Sequence, residues 1–516
     1  MNPFSFFSTW GTTASAYYDA LKPSKTRRAI PPSIVRSADQ KLKDRGRRSM
    51  SAKTGRAQDN FTLAAWMIRT YLDHVSTLEF NPTTQNKALD LAVEEWYKEW
   101  SLRENCDVAG KHPFRKLIRI MEGRRLIDGD VFCLKIGGNS PSRGTIQLIE
   151  ADRIASPQGS RTSGVSLESV PRNLDPNNFI NGVRVSKSGR AMFYMVNKRN
   201  DDGTLQFERN VSAANIVQHG FFNRVDQVRG ISPFTAALNT MADIYDAFDH
   251  TSAKIKMSAL FAAVITQDKE MGFAGAYEDG SGTAGLSLDF EDGPQIWDLS
   301  PGEDIRTISA NGAIDGPSLD YMKVLVQLSL KALDLPMSFY SEDFTNYYGS
   351  RGAAILFKKS VQPKQQDLMD SLNEIMTWRI GMAIKDGELK LPGGASFDDL
   401  SWEWVPSGME LWDPVKEVAG YKSAIAAGLD SPQRICRLIG TDFDQNIADI
   451  QQAQQAAEAA GITLDFAASS SSSHNMGEEV VSDEEPESET SREEDDTEAD
   501  DETRNDTEDT KEGVIN

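Results

Sequence analysis

Residues 229–260 read RGISPFTAALNTMADIYDAFDHTSAKIKMSAL, and here the chain changes period. Ser232 has a hydroxyl that can accept from the open N–H groups of a helix start, and Pro233 suits the first helical position. Phe234, Leu238, Met241, Tyr245 and Phe248 then step by 4, 3, 4 and 3 residues. That spacing predicts a narrow apolar seam that packs against a neighbouring helix. Continued to Leu260, the helix is about 40 Å long at roughly 1.5 Å per residue.

Downstream, residues 261–316 hold nine glycines between Gly272 and Gly316, with short β-like runs AAVIT (262–266), PQIWDL (294–299) and DIRTI (304–308). They read as a β-rich insert between two helices. The second helix starts near Pro317-Ser318, carries Tyr321, Leu325, Leu328, Ala332 and Leu335 at the same 4-3 spacing, and stops at Pro336. MSFYSEDFTNYYGSRG (337–352) is polar, aromatic and bounded by glycine, which predicts a loop. A long helix is expected from Ala353 to Ile384, bent near Pro363, then a short strand at Trp402–Val405 and helices over 413–427, 431–439 and 443–460.

Upstream, residues 60–100 have helical spacing throughout, with Phe61, Ala64, Ala65, Ile68 and Leu72 on one face and Leu89, Val93, Trp96, Tyr97 and Trp100 on another. Another helix is expected from Pro113 to Ile127. VFCLKIGG (131–138), TIQLIEADRI (145–154), NGVRVSKSGRAMFYMVN (181–197) and NIVQHGFF (215–222) read as strands, with 187–190 as a hairpin turn. The fold class is α+β and mainly helical.

The chain has 516 residues, room for more than one domain, and a formal net charge of −22. Residues 478–512 alone hold 19 Asp/Glu against 3 Lys/Arg, a net of −16, which leaves −6 for the rest. From Ala467 to Asn516 the composition predicts a disordered, solvating tail. Residues 20–60 are the opposite, with Lys22, Lys25, Arg27, Arg28, Lys41, Lys43, Arg45, Arg47, Arg48, Lys53 and Arg56. Such an arm suits nucleic acid or an acidic partner, or is simply a soluble, partly flexible extension. Cys106, Cys133 and Cys436 are far apart and form no CxxC, so neither a disulfide scaffold nor a cysteine zinc site is expected. No run approaches twenty apolar residues, which predicts no transmembrane helix. The first fifteen residues lack the basic region and apolar core of a secretory signal.

The sequence holds no Walker A, HExxH or GxSxG pattern, and its five histidines are scattered. Asp128, Asp130, Glu150 and Asp152 are the one set that could be drawn as a metal cluster, and hence as a metal-dependent nuclease. Turn carboxylates before strands explain them more simply.

Several runs recur in a recognisable order: EWYKEWSLRENCDVAGKHPFRKL (95–117), IDGDVFCLKI (127–136), IQLIEADRI (146–154), NGVRVSKSGRAMFYMV (181–196), IVQHGFFNRVDQVRGISPF (216–234), LSPGEDI (299–305), NYYGSRGAAILFKK (346–359) and GLDSPQRICRLIGTDFDQ (428–445). Together they resemble the portal proteins of tailed bacteriophages, in particular the lambda-like portal family. RGISPF and YYGSRGA carry most of the weight.

The resemblance implies a portal fold: a basic N-terminal arm (1–59), an α+β wing (60–231), a first stem helix (232–260), a β-rich clip (261–316), a second stem helix (317–336), a channel loop (337–352), a long wing helix with its following strand (353–404), a helical crown (405–466) and the acidic tail (467–516). It implies no enzyme and no cofactor. About twelve copies would form a ring, a dodecamer, at one capsid vertex of the virion, assembled in the host bacterial cytoplasm. Double-stranded DNA would slide through the bore, unread in sequence. The terminase large subunit and head-completion (adaptor) proteins would dock on the ring, and the major capsid or scaffold protein would surround it. The channel loop would present Asp343, Phe344, Thr345, Asn346, Tyr347 and Tyr348. Stem packing would use Phe234, Leu238, Met241, Tyr245, Phe248, Tyr321, Leu325 and Leu328, and Lys254, Lys256, Lys323 and Lys331 are candidate channel cations. An acidic body suits sliding, because each phosphate contact to a cation would add affinity and hold the duplex still. Another virion connector or scaffold is the alternative structural reading.

Overall fold

A computed structural model describes residues 36–84, 86–156, 178–260, 264–267, 303–306, 316–342, 347–408 and 414–462. The chain divides into two units after Ile447. The acidic tail, most of the clip, residues 1–35 and channel-loop residues 343–346 lie outside the described residues.

The first unit opens with helices α1 (Ala38–Lys41), α2 (Asp44–Asn60) and α3 (Thr62–Val75). Strand β1 (Leu78–Pro82) follows, then α4 (Lys87–Trp100), α5 (Arg103–Cys106) and α6 (Phe114–Asp128). Here the structure corrects the expectation of unbroken helical spacing over 60–100. β1 interrupts it and pairs antiparallel with a strand more than 300 residues away, β11 (Trp402–Pro406). Local spacing carries no trace of so distant a partner. Phe80 of β1 stacks on Tyr97 with centroids 4.3 Å apart, and Trp404 meets it edge-on at 5.3 Å. Trp402 and Trp404 both donate their indole N–H to Asn373 Oδ1, at 3.1 and 3.0 Å.

Next come β2 (Asp130–Lys135), β3 (Ile146–Glu150), β4 (Phe179–Ile180), β5 (Val183–Val185), β6 (Ala191–Arg199), β7 (Leu205–Ser212) and β8 (Ile216–Gly220). Two antiparallel sheets result, one in the order β3-β2-β8 and the other β4-β5-β6-β7. β7, whose alternation is blurred by charged residues on both faces, is an element the sequence reading did not identify. β2 is buried along its whole length. Its alternate residues serve two cores, as period-2 side chains must. Val131 and Cys133 join the large helical core, while Phe132 and Leu134 join a smaller one with Ile149, Val183, Tyr194 and Val196.

The chain continues through α7 (Leu238–Leu260), the antiparallel pair β9 (Val264–Gln267) and β10 (Glu303–Arg306), and α8 (Gly316–Leu330). A short helix α9 (Met337–Ser341) precedes α10 (Tyr347–Asp386). The expected loop over 337–352 is thus corrected: both of its ends are helical, and the long helix begins six residues before Ala353. Gly349 and Gly352 read as breakers, but a helix tolerates each at a cost of about 1 kcal/mol. Pro363 sits inside α10. The buried face of α10, with Phe357, Val361, Leu368, Leu372, Ile375, Met376 and Ile380, forms a wall of the large core. Helices α11 (Pro414–Ala426), α12 (Pro432–Ile439) and α13 (Phe443–Ala459) close the described chain. Ser431 caps α12 by accepting from Arg434 N at 3.2 Å, and Gly440 ends it at φ +87°. The second unit, from Ala448, is represented by the remainder of α13 and the residues to 462. Among the described residues no helix is long and apolar enough to cross a membrane.

Candidate functional site

The root of the paired helices explains RGISPF residue by residue. Arg229 is 1% exposed and uses all five of its N–H donors. Nε and Nη2 donate to the two oxygens of Asp130, at 2.7 and 2.9 Å. Nη1 donates to the carbonyls of Ile154 and Asn181, at 2.6 and 2.7 Å, and Nη2 to that of Ala151 at 2.9 Å. Gly230 N donates to Asp130 Oδ2 at 2.9 Å. A Cβ on Gly230 would lie 2.1 Å from the carbonyl oxygen of Gly129, so no other residue fits there. Ser232 accepts from Phe234 N at 3.1 Å and donates to the carbonyl of Leu126. Pro233 opens a short 3₁₀ turn, and Phe234 is fully buried. Burial pushes Asp130 up, but the Arg229 charge and the hydrogen bonds outweigh it and hold the carboxyl below its ordinary range.

The N-terminal helices lock onto this root. Arg47 on α2 donates to the carbonyls of Gly230 and Arg229, at 2.6 and 3.0 Å. Asp39 on α1 accepts from Val228 N at 2.8 Å and Asn181 Nδ2 at 3.1 Å. A second buried cluster lies nearby. Glu122 accepts from Tyr71 Oη at 2.8 Å, lies 2.7 Å from His219 Nε2 and pairs with Arg125 at 3.3 Å. Arg125 reaches Asp367 on α10 at 2.6 Å, and His219 Nδ1 lies 2.9 Å from Ser371 Oγ. Burial pushes Glu122 up, yet the Arg125 charge and the His219 bond prevail and hold it at about 2. Burial lowers His219 against the opposing pull of Glu122.

Beyond the root, α7 packs against α8. Phe234 and Met241 are fully buried, Leu238 and Tyr245 are half-buried, and Tyr245 stacks on Phe61 with centroids 4.1 Å apart. Phe248 is exposed. On α8 the buried face is Met322, Leu325, Val326, Ser329 and Leu330. The expected seam therefore mixes two faces: Leu325 points inward, whereas Tyr321 and Leu328 are 60% and 58% exposed. The 4-3 count failed here because apolar residues surround α8 almost completely, and spacing alone does not choose between its sides. Val324 lies with Tyr321 and Leu328, so one subunit carries an uncovered apolar stripe at i, i+3, i+7.

Of the candidate cations, Lys323 is exposed 3.5 Å from Asp320, and Lys331 is exposed in the turn after α8. Lys254 and Lys256 lie on α7, with side chains outside the described set. In the channel segment, Glu342 at φ +51° ends α9. Tyr347 and Tyr348 begin α10, and their side chains, like Asp343, Phe344, Thr345 and Asn346, lie outside the described residues.

The four carboxylates of the nuclease reading do not converge. Asp130 belongs to Arg229, Asp128 pairs with Arg124 at 2.6 Å, and Glu150 and Asp152 share Arg199 at 2.8 and 2.7 Å. Each is held by a guanidinium rather than by a neighbouring carboxylate. Among the described residues no three His, Cys, Asp or Glu side chains gather as metal ligands. The sequence reading missed Arg229, Arg47, Glu122, Arg125 and His219. Their signal was a charge set inside an apolar run, as in IVQHGFF and DVFCLK's leading Asp130.

No curated protein matches the chain in sequence. Among solved structures, it is similar to a chain from the virion of a native gene transfer agent (GTA) particle, at 12% identity over 76% of this chain and 93% of that one, with a TM-score of 0.46. It is also similar to a chain in the neck of the empty GTA particle computed with C6 symmetry, at 13% identity over 75% and 93%, TM-score 0.46. A third is a chain in the neck of the native GTA particle computed with C12 symmetry, at 12% identity over 76% and 93%, TM-score 0.43. Residues 25–365, which include the root, both paired helices and the start of α10, match the family model described as phage portal protein, lambda family. With most of its length inside that match, the chain belongs to the lambda family of phage portal proteins.

Proposed function

We propose that about twelve copies close into a ring at one capsid vertex and that double-stranded DNA is packaged and ejected through its bore. The observation that carries this reading is the uncovered stripe on α8, Tyr321, Val324 and Leu328. A ring needs a patch on one subunit that meets a different patch on the next. The stripe supplies one, and the exposed Phe248 and Ile255 on α7 supply the other. Fully burying a side chain of this size contributes about 1.5–3 kcal/mol, so a few per contact, repeated around a closed ring, hold it together.

In this reading α7 and α8 are the stem, and residues 261–316 between them are the clip on which the terminase motor and later the head-completion proteins dock. Residues 337–352 form the channel segment, residues 60–231 and 353–404 the wing facing capsid or scaffold protein, and residues 405–466 the crown. The subunit conducts DNA and leaves ATP hydrolysis to the motor. Tyr347, Tyr348 and Asn346 can touch phosphate or sugar without reading bases. Lys254, Lys256, Lys323 and Lys331 offset the repulsion of an acidic wall without gripping the duplex.

Mass measurement of the purified chain under native conditions tests the ring. Wild-type protein should give a closed oligomer of about twelve subunits, and Tyr321→Asp combined with Leu328→Asp should give folded single subunits. A double variant that still forms the same ring contradicts the role given to the stripe.

A further inference from the structure

Helix α2 has two faces of different character. Asp44, Arg47, Thr54 and Ala57 are buried, and Arg47 fixes the helix to the root as described. Opposite them, Arg45, Arg48, Ser49, Ala52 and Arg56 follow one another at i, i+3, i+4, i+7 and i+11, with Lys53 at the edge. From Arg45 to Arg56 the row is about 16 Å long at about 1.5 Å per residue. Lys41 and Lys43, both exposed, extend it toward the N-terminus. The exposed face of α2 carries a single acid, Asp59.

Small residues lie between the cations. A Cβ placed on Gly55 would meet nothing within 4 Å, and apart from Arg48 only Ser49 and Ala52 stand between Arg45 and Arg56 on the row. Beside it opens a cavity of about 560 Å³, lined by Arg45, Arg48, Ser49 and Ser51 on the α2 side. On its floor Arg199 neutralises Glu150 and Asp152, while Arg124 holds Asp128. Arg45, exposed on α2, adds its charge at the mouth, and Arg48 beside it donates to the carbonyl of Gly203 at 2.7 Å.

We propose that this face of α2 is a docking surface for the phosphate backbone of duplex DNA, separate from the channel. Protein partners favour interfaces with an apolar or aromatic centre, and this row has none. Backbone phosphates need only cations, donors and room for close approach. A row of about 16 Å matches about five base pairs of rise along the duplex axis, at about 3.4 Å each. The choice of DNA as the polyanion rests on the portal reading, but the surface belongs to one subunit and does not depend on the ring.

Closed circular duplex DNA has no end to thread through a bore, so it reports on an outer surface alone. Binding of fluorescent circles to the full chain should weaken steeply with salt. The Arg45→Gln, Arg56→Gln double variant should lower the slope of log affinity against log salt by about 2, and Lys41→Gln with Lys53→Gln should do the same. Lys187→Gln with Arg190→Gln, on the exposed β5–β6 turn, should leave it unchanged, and thermal melting of all three variants should match wild type. Circles bound equally by wild type and both α2 variants would overturn the proposal. So would binding of linear duplex but not circles, an outcome that leaves the channel reading standing. Capture of polyglutamate with no binding of circles would assign the face to an acidic protein and also overturn it. Circle binding lost in the α2 variants, in a sample that never forms rings, would support this surface while defeating the ring.

Discussion

Arg229 and Asp130 are withdrawn from water together, and neither can be left there alone. The pair has no exposed edge, and three backbone carbonyls depend on the same guanidinium. Removing one partner of such a pair costs about 3–5 kcal/mol, whereas replacing both with apolar groups of similar volume costs much less. Arg229→Ala should therefore lower stability to urea by about that amount, and Arg229→Met with Asp130→Leu should recover part of it. A double variant weaker than the single one would mean that the other contacts of Asp130, to Gly230 N and Gln218 Nε2, outweigh the cost of leaving its carboxylate without Arg229. His219 gives the pH dependence its sign. Its folded pKa is depressed by burial, so below the ordinary value of 6.5 the unfolded chain binds more protons and stability falls with falling pH. Burial depresses His74 as well, in the same direction. Glu122, held at about 2, loses its contribution progressively as pH falls from its ordinary value of 4.5 to about 2. His219→Asn should flatten the loss of urea resistance between about pH 7 and about pH 5.5, and equal slopes in the two proteins would exclude the imidazole as a source. None of these buried charges was legible as a site, because a lone Arg, Asp or His in a sequence shows neither its partner nor its burial.

Elements whose causes are local were legible. Ser232-Pro233 and Ser431-Pro432 mark helical starts by cap and fixed φ: α12 begins at the second, and the first opens the 3₁₀ turn just ahead of α7. β2 and β3 follow from their apolar runs. What local chemistry does not record was misread. β1 exists because β11 pairs with it, and α8 has apolar residues on two sides because only one is covered within the subunit. The start of α10 is the sharpest case, since two glycines suggested a loop where the backbone is helical. Gly352 has open space where a Cβ would go, so Gly352→Ala should stabilise the protein by about 0.5–1 kcal/mol, read as a higher urea midpoint. A loss of stability would return that segment to a non-helical conformation.

At the scale of the whole molecule, the order of elements was the legible feature: an α+β part, a helix, an insert, a second helix, a short segment and a long helix. That order needs only period changes along the chain. The seam residues were half legible: Phe234, Met241 and Leu325 are covered within the subunit, while Phe248, Tyr321 and Leu328 are left outside it. In the proposed ring those three are not misplaced core but the join between neighbours. Electron cryo-microscopy of the assembled particle at side-chain resolution tests this most directly. The account predicts a closed ring in which Tyr321, Val324 and Leu328 of each subunit are covered by the next. A particle whose subunits meet elsewhere, with that stripe still facing solvent, would contradict it.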